Sequence, residues 1–378
     1  MKTIKNIVIT IAIIFSLLYA LNLEYFIKGV RVVYMNFQTT VFINDLKYFD
    51  HEIIESPDEK SPWNESENIT NSFRTEFEKY NEEFKTVAFL VIHKDSIIAE
   101  NYYRGYSSNS STNSFSMAKT FVSAMMGKAV ELGYINSLND KVIDYIPEIK
   151  GEFAKDVRVI DLASMTSGLK WDEGTSDPFS PVAKQYFISD VEELMFNQPF
   201  IEKPGEKYHY SSGNTQLLSI LIERASGIKT DKFFEDEIWS KINPDMDAYW
   251  QLDSKESGII KSFCCFHSNA RDFSRLGKLY LNYGKWGGNQ VIDSLFIKKS
   301  MTPFLDNFDA YGIGVWLTKH KGLDIALMSG HLGQYVIMIP EKDLIITRLG
   351  EKDIDLGGPG VSGDVLIYVD EALRLIED

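Results

Sequence analysis

Residues 114–133 constrain the fold of this chain more than any other stretch, because they predict a long helix with two reactive side chains in its first turn. Apolar residues recur there every three or four positions and form one buried stripe. Ser116 and Lys119 lie three residues apart, so their hydroxyl and amine can meet on one face of the helix. Gly133 is typical of a helix end. A serine nucleophile needs a base and an oxyanion donor, and this turn offers an amine and free backbone N–H groups.

The pattern Ser-x-x-Lys by itself is weak evidence, because it occurs three times in the sequence. The copies that begin at Ser167 and Ser226 lie in Ser-Gly sequences, which favour turns. The copy at Ser116 opens a long apolar helix. On this stretch alone, a capping serine followed by a solvated lysine explains the pattern equally well.

The charge and the histidine pattern exclude some classes of function. A formal net charge of −15 argues against a nucleic-acid partner, since a phosphate backbone requires a basic surface. The six histidines are scattered, and the sequence contains no H-E-x-x-H or C-x-x-C motif. We therefore expect no nucleic-acid partner, no metal site and no cofactor.

Residues 1–23 include an uncharged apolar run that follows Lys2 and Lys5. The run is near the short limit for crossing a bilayer, and the two lysines favour an orientation with the rest of the chain outside the cytoplasm. Two alternatives remain open: a buried core helix, or a cleaved signal peptide, although Leu18-Tyr-Ala20 matches a cleavage site poorly. We expect a membrane anchor with the folded domain in the periplasm or at the cell surface, or a secreted protein if residues 1–23 are removed.

Strand patterns occur near both ends of the folded part of the chain. Residues 86–93 and 96–103 are rich in β-formers and flank Lys94-Asp95, a pattern that predicts a β-hairpin. Further strands are predicted near the C-terminus, at residues 311–318, 334–340 and 344–349. Short turns between neighbouring strands predict antiparallel pairing.

These patterns predict an α+β fold. We expect an antiparallel sheet from both chain ends, flanked by helices, with a large mainly helical insertion at about residues 136–303. Residues 24–85 are predicted to be a connector, and residues 86–378 are predicted to form the main domain.

Two loops add candidate site residues. Pro204-Gly205 forces a turn, and Tyr210 follows on a tight loop at the entrance of a predicted helix. His331 and Gly333 lie at the entry to a strand, where glycine lets the backbone approach a ligand closely. The N–H of Gln334 is then a candidate oxyanion donor. Taken singly, a half-buried tyrosine and a loop histidine without a role explain these positions better.

The three motifs together resemble those of serine β-lactamases and penicillin-binding proteins. Ser116-Met-Ala-Lys119, Tyr210-Ser-Ser212 and His331-Leu-Gly333 occur in the order and context of that superfamily. Two further segments resemble its class C-like branch: residues 159–169 and 270–277. That branch includes carboxylesterases, D-amino-acid peptidases and 6-aminohexanoate-dimer hydrolases. The resemblance implies a β-lactamase/DD-peptidase-like fold.

The resemblance also implies roles for the motif residues. Ser116 would be the acylated nucleophile, and Lys119 would take or relay its proton. Tyr210 would be the hydrogen-bonded partner that acts as general base and later activates water. The backbone N–H groups of Ser116 and Gln334 would form the oxyanion hole.

Two departures from the lactamase motifs bear on the substrate. His331-Leu-Gly333 replaces Lys-Thr-Gly, whose lysine and threonine help to hold a substrate carboxylate in the family. Ser212 stands where lactamases carry asparagine. We expect Ser212, His331, Gly333 and Gln334 to contact a substrate, and we expect that substrate to be a small ester or amide.

The leading hypothesis is therefore a serine hydrolase that cleaves a small ester or amide through an acyl-enzyme on Ser116. One alternative is a catalytically silent relative that binds cell-wall fragments, and another is a weak β-lactamase or D-amino-acid peptidase. An α/β-hydrolase is disfavoured, because the sequence contains no G-x-S-x-G nucleophile elbow.

Overall fold

The computed structural model describes residues 23–175, 177–354 and 361–377, together with residues 5, 6, 9, 10, 16 and 18–20. Helices in these parts of the chain are α1 Glu24–Val32, α2 Thr75–Glu83, α3 Ala118–Glu131, α4 Val159–Ala163, α5 Pro181–Phe187, α6 Val191–Phe196, α7 Ser212–Ser226, α8 Thr230–Phe234, α9 Ala270–Leu281, α10 Ser294–Ser300 and α11 Val365–Glu377. Strands are β1 His51–Ile54, β2 Asn64–Thr70, β3 Thr86–His93, β4 Ser96–Tyr102, β5 Thr112–Asn113, β6 Ala248–Gln251, β7 Phe266–Ser268, β8 Lys285–Trp286, β9 Asn289–Gln290, β10 Trp316–His320, β11 Leu323–Gly330, β12 Gln334–Ile339 and β13 Leu344–Gly350.

The main sheet has seven strands in the order β10-β11-β12-β13-β3-β4-β2. The strands of the two chain ends meet where β13 pairs antiparallel with β3. The predicted hairpin is confirmed: β3 and β4 pair antiparallel across Lys94-Asp95, both of which have positive φ. The structure thus confirms the α+β class and the antiparallel sheet. One strand differs, because β2 joins the edge parallel to β4.

Helices cover both faces of this sheet, because side chains along each buried strand alternate between the faces. On one face, Phe89 and Ile337 pack with Phe77 of α2 and Tyr368 of α11. On the other face, α9 lies against β12 and β13. Gly277 permits this approach, since a Cβ there would be 2.6 Å from a methyl carbon of Val336.

A second, four-stranded sheet has the order β1-β6-β7-β5 and holds the strand that precedes the nucleophile. Its central strands come from the predicted helical insertion, whose remaining elements are mainly helices. Its first strand comes from residues 24–85, which also contribute α1, β2 and α2. The predicted connector therefore packs into the body of the protein, close to the candidate site.

The predicted membrane anchor at residues 1–23 falls largely outside the described residues. Across the parts of the chain that the structure describes, no helix is long and apolar enough to cross a membrane. Helix α1, which follows directly, has nine residues and carries Glu24, Lys28 and Arg31, whereas a span needs about 20 mainly apolar residues. The prediction of a membrane anchor, on which the placement of the domain outside the cytoplasm rested, is therefore wrong for the described residues.

Candidate active site

The nucleophile turn brings Ser116 and Lys119 together. Ser116 lies in a 3₁₀ turn, Phe115–Met117, that leads directly into α3. The Nζ of Lys119 donates hydrogen bonds to the Oγ of Ser116 at 2.9 Å and to the backbone oxygen of Phe263 at 3.0 Å. The three-residue spacing thus places hydroxyl and amine in contact.

A buried asparagine supports the unusual backbone of this turn. Phe115 has a φ of +45°, a left-handed conformation that costs a bulky residue of the order of 1 kcal/mol or more. Asn113 accepts hydrogen bonds from the N–H of Phe115 at 2.9 Å and from that of Cys265 at 3.1 Å. Asn113 also donates to the hydroxyl of Tyr186. These bonds fix the turn before α3 begins.

Lys119 is 2% exposed, and its burial decides its chemistry. Burial lowers the pKa of Lys119 to about 8, while the negative charge of Glu173 opposes that shift. The Nζ of Lys119 also lies 5.0 Å from the centre of the Tyr210 ring, a distance typical of a cation–π contact. A fraction of Lys119 is therefore neutral near pH 7 and able to accept a proton.

Tyr210 lies on the loop that enters α7, where the Oγ of Ser211 caps the helix by accepting from the N–H of Asn214. Burial, followed by the charge of Glu173, raises the pKa of Tyr210 well above its usual value. The side chain of Ser116 acts on Tyr210 and partly opposes the rise of its pKa. Tyr210 is therefore a neutral phenol at physiological pH.

Glu173 is a site residue that the sequence reasoning missed. Its carboxylate accepts hydrogen bonds from the N–H of Ser212 at 2.9 Å, from the hydroxyl of Ser212, and from the indole N–H of Trp171 at 2.7 Å. Ser212 was expected to contact substrate, and in this structure its hydroxyl is directed at Glu173. The charge of Glu173 acts on both Lys119 and Tyr210. No motif in the sequence marked this loop carboxylate.

The other two Ser-x-x-Lys copies serve the structure. The buried hydroxyl of Ser167 donates to the side-chain oxygen of Asn214 at 2.6 Å. The hydroxyl of Ser226, at the end of α7, donates to the backbone oxygen of Ile222 at 2.7 Å. Neither contact involves the amine of the lysine three residues later.

The third motif forms a tight turn between β11 and β12. Leu332 and Gly333 both have positive φ, +63° and +79°. The side-chain amide of Gln334 donates to the backbone oxygens of His331 and Gly350, at 3.0 and 2.7 Å. The side-chain amide of Gln334 therefore bonds to backbone oxygens of the protein. Its backbone N–H is the group that we consider as a donor to a substrate.

His331 lies beside the nucleophile turn. Its ring packs edge-on against Phe115, with 5.5 Å between ring centres. Its Nε2 is 3.3 Å from the hydroxyl of Thr40, in the N-terminal part of the chain. The structure therefore brings the third motif and Thr40 together beside the nucleophile turn.

Arg348 is a second residue that the sequence reasoning missed. Its buried guanidinium donates to the backbone oxygens of Leu332 and Gly333 at 2.9 and 2.8 Å, and so clamps the third-motif turn. The same group donates to three acceptors outside that turn: Thr86 Oγ1, the Phe84 oxygen and the Lys352 oxygen. A Cβ at Gly333 would lie 1.9 Å from the Arg348 Nη1, so glycine is needed for this approach.

Comparison with known proteins agrees with this arrangement. Residues 73–355 match the family model described as Beta-lactamase. The 6-aminohexanoate-dimer hydrolase of Paenarthrobacter ureafaciens is 24% identical over 321 residues, which cover 78% of this chain and 80% of that protein.

Solved structures show the same fold. A Bacillus anthracis protein, provisionally described as a 6-aminohexanoate-dimer hydrolase, superposes with a TM-score of 0.74 at 19% identity, covering 89% of this chain and 92% of its own. A family VIII carboxylesterase superposes with a TM-score of 0.60 at 17% identity, covering 82% of this chain and 100% of its own. The resemblance inferred from the three motifs is confirmed, and the chain belongs to the Beta-lactamase family.

Proposed function

We propose that this protein is a serine hydrolase that cleaves a small, uncharged ester or amide through an acyl-enzyme on Ser116. The contact of 2.9 Å between the Lys119 amine and the Ser116 hydroxyl carries the proposal. Relatives named as hydrolase, carboxylesterase and amidohydrolase support the general reaction class.

In the acylation step, neutral Lys119 accepts the proton of Ser116 while the serine Oγ attacks the carbonyl carbon of the substrate. The C–O bond that forms turns the carbonyl oxygen into an oxyanion. The backbone N–H groups of Ser116 and Gln334 are the proposed donors to that oxyanion. The pKa of Lys119, about 8, suits a base that works near neutral pH.

In this mechanism Tyr210 is not the general base that the family resemblance implied. Its raised pKa disfavours a phenolate, so the general base is better assigned to Lys119. The neutral phenol can pass a proton from the Lys119 ammonium to the leaving oxygen or nitrogen as the tetrahedral intermediate collapses. In deacylation, Lys119 takes the proton of a water that attacks the acyl carbon, and Ser116 recovers its proton.

The charges around the site favour an uncharged substrate. Leu332 offers no hydroxyl to a substrate carboxylate, and the negative charge of Glu173 acts on Lys119 and Tyr210 next to the nucleophile. A carboxylate left partly unpaired in a pocket costs a few kcal/mol, on the order of a hundredfold in rate. A neutral ester avoids that cost and uses the same nucleophile.

The test is a panel of p-nitrophenyl esters, short amides and nitrocefin, assayed with the wild type, Ser116→Ala and the control Ser226→Ala. We expect ester turnover well above nitrocefin turnover by kcat/KM. Loss of the nucleophile at Ser116 should lower activity by several orders of magnitude, whereas Ser226→Ala should remain active.

Two outcomes would refute the proposal. Wild-type activity in Ser116→Ala would exclude the assigned nucleophile, and nitrocefin hydrolysis equal to ester hydrolysis would exclude the preference for uncharged substrates. If the wild type turned over no substrate and formed no adduct with a fluorophosphonate, the catalytically silent alternative would replace the proposal.

A further inference from the structure

A largely apolar cavity of about 130 Å³ lies between α1, residues 39–41 and α5. Its apolar walls come mainly from six side chains: Tyr25, Phe26, Val30, Val33, Val182 and Phe187. The described residues that line it include hydroxyls but no charged side chain. A charged ligand group would be costly to bury here, whereas an apolar group would gain free energy.

Helix α1 forms one wall through its spacing. Tyr25, Gly29 and Val33 are four residues apart and therefore share one face of the helix. Gly29 brings α1 close to α5, since a Cβ there would be 3.4 Å from the ring of Phe187. The predicted connector thus builds a cavity that the nucleophile-bearing helix does not contribute to.

Three lining residues connect the cavity to the candidate active site. The hydroxyl of Thr40 is 3.3 Å from the Nε2 of His331, in the third motif. The hydroxyl of Tyr186 accepts from Asn113 at 3.1 Å, and Asn113 holds the residue before the nucleophile. Thr175 lies on the loop of Glu173.

We propose that this cavity binds an apolar group of the substrate, about the size of benzene or of a chain of four to five carbons. The inference rests on the proposed hydrolase function and specifies the substrate. An engineered apolar cavity of about 150 Å³ binds benzene, so a cavity of this volume has room for such a group. The contact of Thr40 with His331 and that of Tyr186 with Asn113 place the cavity beside the third motif and beside the residue that holds the nucleophile turn.

The first test is a series of p-nitrophenyl esters from acetate to hexanoate. Each methylene that enters the cavity should raise kcat/KM by up to about fourfold. Ala183→Leu fills the cavity from α5 and should reduce the ratio of hexanoate to acetate kcat/KM at least tenfold. Ala225→Leu, a partly buried alanine at the far end of α7, is the matched control and should leave both rates unchanged.

A second variant tests the cavity independently, in case Ala183→Leu does not fold. Val30→Phe fills the cavity from the opposite wall on α1 and should produce the same chain-length effect. If neither variant changed the dependence on chain length, or if the wild type showed no such dependence, the cavity would not be a substrate pocket.

The apolar group could belong to the acyl part or to the alcohol part of the substrate. A parallel series of alkyl acetates, from ethyl to hexyl, separates these cases. An effect of Ala183→Leu on the p-nitrophenyl series alone assigns the cavity to the acyl chain, and an effect on the alkyl series alone assigns it to the leaving group. Either result supports the proposal, and an effect on neither series overturns it.

A binding measurement separates this inference from the proposed function. Each of two alcohols, hexan-1-ol and ethanol, is added separately to the Ser116→Ala variant and to the Ser116→Ala/Ala183→Leu double variant. Binding of the alcohol to the protein is then measured by saturation-transfer NMR. Binding of hexan-1-ol, but not of ethanol, to the first protein alone supports the cavity even if no ester is hydrolysed. Equal hexan-1-ol binding by both proteins overturns the inference even if Ser116 proves to be the nucleophile.

Discussion

Two buried cations lie beside the candidate site and differ in how many acceptors they have. In the described part of the chain, Lys119 donates to two oxygens, those of Ser116 and Phe263. Arg348 uses all five of its N–H donors on five oxygens, four of them backbone carbonyls. Both side chains are inaccessible to solvent or nearly so.

On the proposed mechanism, this difference separates the chemical role of Lys119 from the structural role of Arg348. Burial of an amine with few acceptors disfavours its charge, which lowers the pKa of Lys119 to about 8 and makes proton transfer feasible. The guanidinium of Arg348, with every donor satisfied, holds the third-motif turn in place. The acceptors around each cation are what we expect if Lys119 acts as the proposed base and Arg348 supports the fold.

The largest expected effect follows replacement of the chemical cation. Lys119→Met should lower kcat/KM about a thousandfold, equivalent to about 4 kcal/mol, because Ser116 loses its base. Stability in urea should be unchanged or higher, since a buried charge with few partners is removed. Lys128→Met, on the same helix and paired with Glu131 at 2.8 Å, is the control and should remain active. Wild-type activity of Lys119→Met would assign the base to another residue.

Replacement of the structural cation should act on stability instead. Arg348→Met leaves five oxygens without their donor and should lower the free energy of unfolding by about 3 kcal/mol, measured by urea denaturation. Arg224→Met, which breaks an exposed pair with Glu148, should cost less than about 1 kcal/mol. A cost of the same size for both variants would contradict the clamp role of Arg348.

The smallest expected effect is a shift in the pH dependence of kcat/KM. Because Lys119 must be neutral to accept a proton, kcat/KM should rise with pH through a midpoint near 8. The negative charge of Glu173 raises the pKa of Lys119, so Glu173→Gln should move that midpoint to lower pH. Glu206→Gln, an exposed carboxylate paired with Lys203, should leave the midpoint in place. A midpoint that moved upward in Glu173→Gln would reverse the assigned electrostatics.

Much of the fold followed from local pattern. The hairpin around Lys94-Asp95 and helix α3, which begins directly after the Ser116 turn, appear where alternation and helical spacing predicted them. The edge strand β2 was not predicted, because residues 64–70 are polar and gain their pairing only from β4. The predicted anchor is not supported, because no helix among the described residues is long and apolar enough to cross a membrane.

The sequence by itself predicted the contact between Ser116 and Lys119, since residues three apart at the start of a helix can meet on one face. The same spacing gives no such contact at Ser167 or Ser226. Tertiary structure decided the environment of the contact at Ser116. Glu173 reaches Ser212 across 39 positions, and Arg348 reaches Phe84 across 264. Such contacts depend on how whole elements pack, and no local periodicity encodes them. Burial, which sets the pKa of Lys119, likewise arises only when the helices and both sheets close around the amine.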